Sequence, residues 1–116
     1  MKLVIGFITY KDMTAKYLPY FLPSLKNQAL KDCEIIAFDN SEDQDDLNIK
    51  YLHEYNIAYE RAGKNIGFAR AYNKLIRQAV DWQADYFLVL NPDMLVEPGA
   101  IQRMADALEL DENLGS

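Results

Sequence analysis

Four short stretches of this chain carry the residues that could do chemistry. Asn91-Pro92-Asp93 follows the apolar run Tyr86-Phe87-Leu88-Val89-Leu90, so a carboxylate beside a rigid proline stands at the mouth of a strand-like segment. Magnesium and manganese prefer hard oxygen ligands and commonly take only one or two carboxylates, with phosphate and water filling the remaining positions. Asp93 is therefore a candidate metal ligand, and Asn91 could add a carbonyl oxygen or order a metal-bound water. The plainer alternative is a turn, because Asn, Pro and Asp all favour turns. The other polar stretches are Thr9-Tyr10, Asp39-Asn40-Ser41, and the glycine-bearing segment "RAGKNIGFAR" at 61–70.

Those stretches need a scaffold, and the chain alternates two hydrophobic periods that supply one. Residues 2–9, 34–39, 56–60 and 85–90 read as strands, the last being the most apolar. Runs this apolar suit parallel strands covered on both faces. In 66–80, Phe68, Ala69, Tyr72, Leu75, Ile76 and Ala79 follow the three-four spacing of one helix face, while Arg70, Asn73 and Arg77 share a polar side. In 98–110, Ile101, Met104, Ala105 and Leu108 repeat the pattern, with Pro98 placed in the first turn. Ser41 and Gln44 match a capping box that would open a helix running to about Tyr55. A further helix is expected in 14–30, delayed or kinked by Pro19 and Pro23.

Strands and helices in strict alternation predict an α/β fold, a Rossmann-like three-layer α/β/α with a mainly parallel sheet. In such sheets ligands collect at the carboxyl ends of the strands. Thr9-Tyr10, Asp39-Asn40-Ser41 and Asn91-Pro92-Asp93 are those ends, and the turn before the third helix joins them. Four separate segments converging on one rim suggest a binding site more strongly than any one residue does.

Composition narrows the classes. At 116 residues the chain is one domain, half hydrophobic and 26% charged, an ordinary globular mix. No apolar stretch approaches the roughly 20 residues that span a bilayer, and the amino terminus reads as a first strand rather than a signal peptide. Cys33 is the single cysteine. It cannot form an internal disulfide, and a reducing, cytoplasmic setting is the expectation, with any membrane contact peripheral. A formal net charge of −6 argues against a nucleic-acid partner, which would need a basic face.

"FITYKD", "EIIAFDNSED", "NIGFARAYNKLI" and "DYFLVLNPDMLVEPGAI" occur in the order found in the nucleotide-binding half of family-2 glycosyltransferases, inverting enzymes of the GT-A fold. The resemblance covers nearly the whole chain. It is nearest to the rhamnosyltransferase-like branch, in which a Leu-Asn-Pro-Asp stretch replaces the more usual Asp-x-Asp. The resemblance implies a dTDP- or UDP-sugar donor and a carbohydrate or lipid-linked acceptor. Thr9 and Tyr10 would lie against the base, Asp39 would accept from a pyrimidine N–H, and Asn40 would sit beside it. Asn65, Gly67, Arg70 and Asn73 would line the pocket near the diphosphate, where a helix amino terminus favours an anion. Asp93 would hold Mg²⁺ or Mn²⁺, supported by Asn91. Asn91 departs from the usual acid, which predicts weaker metal affinity.

Several of these residues have plainer readings. Asp39 could cap the next helix, Tyr10 could be ordinary packing, and Arg70 with Asn73 could be a solvated helix face. Glu42, Asp43, Asp45 and Asp46 read as an acidic first helical turn. Cys33 reads as a structural thiol, Trp82 as packing at a helix end, and His53 carries no assigned chemistry. The resemblance also implies further strands beyond Ser116 that carry the acceptor and a general base. On that reading residues 1–116 are a single nucleotide-sugar-binding domain of a longer enzyme, inactive alone. The alternative is a non-catalytic nucleotide-binding or regulatory module of the same fold.

Overall fold

Leu3–Thr9, seven consecutive buried residues, form the central strand β1 of a computed structural model that describes residues 2–28, 30–43 and 47–115. Its side chains alternate between two cores. Leu3, Ile5 and Phe7 join one core; Val4 and Ile8 join the other. β2 (Cys33–Asp39) lies parallel to β1 with Leu3 opposite Cys33 and Thr9 opposite Asp39. β3 (Ala58–Arg61) and β4 (Tyr86–Val89) are also parallel, giving the order β3-β2-β1-β4.

Helices cover both faces. α2 (Leu18–Lys26), α3 (Leu47–Glu54) and α5 (Ala100–Gly115) close the first core through Phe21, Leu25, Leu52 and Ile101. Phe7 meets Phe21 edge to face at 5.1 Å between ring centroids. On the opposite face α4 (Phe68–Asp81) lays Ala71, Leu75 and Ala79 on Val4, Ile36 and Phe38. Each large side chain fully buried in such a core contributes about 1.5–3 kcal/mol. The expected α/β/α layering with a parallel sheet is present.

Local expectations are corrected at four places. The helix expected in 14–30 is two: α1 (Lys11–Ala15), then α2. Pro19 has no N–H to return to the Ala15 carbonyl, so it ends the first helix and sits in the opening turn of the second. Pro23 lies inside α2 without ending it. α5 begins at Ala100, after a turn in which Gly99 takes φ +79°, so Pro98 precedes the helix. Ser41 does not cap α3: its hydroxyl is engaged by Asp39 and Lys11, and Gln44 lies outside the described residues. Glu42 likewise precedes α3, whose first turn holds no acid, while Asp45 and Asp46 fall outside the described residues.

β4 departs from its expected burial. Tyr86, Phe87 and Leu88 are half-buried and Val89 is exposed, because the strand order sets this most apolar strand at a sheet edge. Phe87 still packs closely where β1 passes. A Cβ placed on Gly6 would come within 2.7 Å of the Phe87 ring, so the glycine at that point is what lets β4 and its aromatic approach.

Candidate functional site

The carboxyl ends of β1 and β2 are stitched into one rigid edge. Thr9 Oγ1 donates to Asp39 Oδ1 at 2.8 Å, and Ser41 Oγ donates to the same oxygen at 3.0 Å. The Asn40 N–H donates to the Thr9 carbonyl at 2.8 Å. Thr9 and Asp39 have no exposed surface, and Asn40 and Ser41 are buried beside them. Lys11, two residues beyond Thr9, is held at φ +45°, a left-handed conformation disfavoured for a residue with a Cβ. Two bonds keep it there: its N–H donates to Ser41 Oγ at 2.9 Å, and its carbonyl accepts from Asn48 Nδ2 at 3.0 Å. Strain of this kind persists only where surrounding contacts over-determine it.

Arg61 completes the edge. It is the register partner of Asp39 across β2 and β3, and its Nε lies 3.7 Å from Asp39 Oδ2. Its Nη2 donates to the carbonyls of Ser41 and Asp43 at 3.3 and 3.0 Å, holding the segment after β2. The expectation that Asp39 caps the next helix is not met, since its carboxylate is taken up by Thr9, Ser41 and Arg61. Asp39 is equally closed to a nucleoside base in this conformation. Beyond it, Lys11 Nζ bridges to Glu42 at 3.0 Å. Each group favours the charged form of the other: Glu42 is held below the ordinary carboxylate value and Lys11 above the ordinary lysine value. Tyr10 is half-buried at the end of β1, with the Lys11 ammonium 5.2 Å from its ring centre.

The loop before α4 is tied to the same edge. Asn40 Oδ1 accepts from the Ile66 N–H at 3.3 Å, and Asn65 Oδ1 accepts from the Gly67 N–H at 2.8 Å. Gly67 is the N-cap of α4 with φ +85° and ψ 161°, a conformation open essentially to glycine alone. No side chain caps the helix, so its first N–H groups are available at the positive end of the dipole.

Asn91, Pro92 and Asp93 line an open cleft of about 400 Å³ together with Ile8, Thr14, Tyr17, Phe68 and Tyr72. The Phe68 and Tyr72 rings lie nearly parallel, 6.3 Å apart, and form an aromatic wall; Phe68 is 64% exposed. Sequence periodicity assigned both rings to the core. Tyr72 is half-buried against the α4-side core, whereas Phe68 lies on the flank of α4 beside the edge strand, where burial is incomplete. Tyr17 and Arg61 were also missed. No motif marks Tyr17, and Arg61 is revealed only by the parallel register that sets it opposite Asp39.

Arg70 and Asn73 are not brought to this cleft. They line a second groove on the other flank of α4 with Lys74 and Arg77. Cys33, half-buried, has its thiol pushed up to about 11 by desolvation, in keeping with a structural role. His53 bonds the Tyr59 hydroxyl at 3.0 Å, and Trp82 packs beside Ala79 at the end of α4.

A divalent cation would meet one carboxylate in the cleft. Among the described residues no three His, Cys, Asp or Glu side chains cluster to hold an ion by themselves. Asp93 with the Asn91 carbonyl fits an ion shared with nucleotide phosphates, the usual mode for magnesium, and does not fit a cage built from protein ligands alone.

The sequence model of the family described as "Glycosyl transferase family 2" matches residues 5–115. Among solved structures, S. aureus TarS 1–349 in complex with UDP-GlcNAc superposes with a TM-score of 0.80 at 21% identity, over 97% of this chain and 32% of that one. A second crystal structure of S. aureus TarS 1–349 gives a TM-score of 0.76 at 24% identity, over 97% of this chain and 33% of that one. These likenesses establish a shared fold, and the chain spans about a third of the length of either TarS structure. No curated protein sequence matches the chain. No helix among the described residues is long and apolar enough to cross a membrane.

Proposed function

The chain belongs to glycosyl transferase family 2, and from that premise we propose that it binds a nucleotide-diphospho-sugar in the cleft between Asp93 and the Phe68–Tyr72 wall, for transfer of the sugar to an acceptor hydroxyl with inversion. The observation that carries this reading is the cleft itself. It lies at the carboxyl ends of β1 and β4 and combines one hard-oxygen ligand, an aromatic wall and a nearby uncapped helix start.

In this reading the nucleoside lies across the ends of β1 and β2 against Tyr10, with Thr9 holding Asp39 beneath it and Asn40 and Asn65 holding the rim. A pyrimidine N–H is read by Asp39 once one of the contacts from Thr9, Ser41 or Arg61 that occupy its carboxylate gives way. The diphosphate points to Asp93 and Asn91, with Gly67 setting the direction of the α4 amides. Magnesium or manganese, when bound there, offsets the charge of the departing nucleoside diphosphate. Asp93 belongs to this leaving-group side, and no residue of the chain is assigned here as the general base. The TarS complex carries UDP-GlcNAc, which supports a UDP-sugar; the Leu90-Asn91-Pro92-Asp93 stretch resembles the rhamnosyltransferase-like branch, which makes a dTDP-sugar equally eligible.

Calorimetric titration of UDP, dTDP, ADP and GDP, each with and without manganese, tests the reading. Pyrimidine diphosphates should bind more tightly than purine ones, and manganese should strengthen them. Equal binding of all four would overturn the assignment of the base site. Binding without sugar transfer, even in a chain extended by any downstream sequence, would favour the non-catalytic module.

A further inference from the structure

The second groove on α4 is where the chain's charge runs against its own average. Arg70, Lys74 and Arg77 line a hollow of about 400 Å³ with Asn73, Ala62 and Ile66, in a protein of formal charge −6. At positions i, i+4 and i+7 the three cations share one side of the helix and spread over about 10 Å of its axis. The cations of Lys11, Arg61 and Arg103 are each met by a carboxylate. Arg70, Lys74 and Arg77 form no ion pair among the described residues. Glu60 on β3 accepts instead from the Gln78 amide at 3.3 Å, in the orientation that also lets Gln78 accept from Trp82. Asp81, four residues beyond Arg77, makes no ion pair with it.

This placement opposes the helix's own electrostatics. Like charges four residues apart repel, and the stripe starts in the first turn of α4, at the positive end of the dipole, where anions and not cations are favoured. Three cations and a concave floor together make a strong local positive potential. Guanidinium forks match phosphate oxygens in pairs. The hollow shape suits phosphates arranged in a row on a slender ligand better than the flat surface of a bilayer.

We propose that this groove is a second anion site, which takes a ligand bearing at least two phosphates in series, on the flank of α4 opposite the nucleotide cleft. Both sites can then be filled at once.

The test is a titration of the ¹⁵N-labelled chain with tripolyphosphate at low salt, with and without saturating UDP, beside co-sedimentation with phosphatidylglycerol vesicles. Amide shifts should centre on Ala62, Ile66 and Asn73 and persist when UDP is present. Arg70→Glu with Arg77→Glu should weaken tripolyphosphate at least tenfold, and Lys74→Ala severalfold, each with an unchanged circular dichroism spectrum. Asp93→Ala should leave this affinity within twofold while altering nucleotide binding, which separates failure here from failure of the cleft assignment. Shifts centred on Asn91 and Asp93, or tripolyphosphate affinity unchanged in the double variant, would overturn the proposal. So would charge-dependent vesicle binding with no response to tripolyphosphate, which would make the face a membrane contact.

Discussion

Arg61 stands directly across the sheet from Asp39, with its Nε 3.7 Å from the buried carboxylate. The pairing is set by the parallel register of β2 and β3, which places the last residues of the two strands side by side. It turns Asp39 from an isolated acid at a strand end into the centre of a network that also holds Thr9 and Ser41.

Removing the arginine should therefore cost more than removing a surface cation. Arg61→Met leaves a carboxylate with no exposed surface and deletes the bonds to the Ser41 and Asp43 carbonyls. Breaking one side of a buried pair typically costs 3–5 kcal/mol; because Arg61 keeps some exposure, about 3 kcal/mol is expected. Urea unfolding measures it. Arg61→Lys should recover only part, since lysine has no planar fork. A loss below 1 kcal/mol for the methionine variant would mean that the pair contributes little.

Asp93 should behave in the opposite way. It is exposed in the cleft, so Asp93→Ala should change unfolding free energy by no more than about 0.5 kcal/mol. Its effect should appear in metal dependence: manganese no longer strengthens binding of UDP or dTDP. Paramagnetic broadening of amide signals around Asn91 reports the ion directly. Broadening that survives in the variant would show that the ligand lies elsewhere.

What the sequence made legible, and what it hid, divides along one physical line. Periodic burial was readable in part: the apolar run of β1 and the Leu75 and Ala79 positions of α4 have their places in the structure. Ala71 is buried without having been on the expected face, whereas Ala69 and Ile76 of that face are exposed. The polar strand ends were readable too, because small and acidic residues interrupt apolar runs there. Partners set by tertiary register were not. Nothing local to Arg61 marks it as the counter-charge of Asp39, twenty-two positions earlier. Nor does periodicity distinguish a ring on the core, as Tyr72 is, from one on an incompletely covered flank, which is why Phe68 was assigned to the interior. The same ambiguity hid the split of the polar side of α4 from the cleft. Ser41 misled for a further reason: its hydroxyl fitted a cap pattern, but Asp39 and Lys11 compete for it.

Cys33 should react slowly. Desolvation raises its thiol to about 11, against an ordinary value of 9.0, so little thiolate is present at neutral pH. Iodoacetamide labelling of the folded protein should climb with pH towards about 11, whereas labelling in urea should follow the ordinary thiol. The linked stability has a definite sign. The folded value lies above the unfolded one, so the contribution is complete below pH 9.0 and is lost as pH rises through about 11. Cys33→Ser should flatten that part of the stability profile. Half-maximal labelling of the folded chain near pH 9 would show that burial has no effect on the thiol.

Two substitutions on one helix should separate scaffold from site. Leu75 has 1% of its surface exposed and packs against Val4, Ile36 and Phe38, whereas Phe68, two turns earlier, is 64% exposed on the cleft wall. Leu75→Ala opens a cavity in the α4 face of the sheet and should cost 2–5 kcal/mol of stability, the range for leucine-to-alanine changes in cores. Phe68→Ala removes little buried area, and its stability should move by no more than about 0.5 kcal/mol. In binding the order reverses. An aromatic face against a nucleoside or sugar ring is worth about 1 kcal/mol, so Phe68→Ala should weaken UDP or dTDP roughly fivefold. Leu75→Ala, assayed well below its melting temperature, should bind nearly as the parent does, because it does not line the cleft. Paired denaturation and calorimetry on the two variants settle the matter. If Phe68→Ala destabilises the fold as Leu75→Ala does and leaves nucleotide affinity intact, the aromatic wall is packing and the donor must lie elsewhere on the rim.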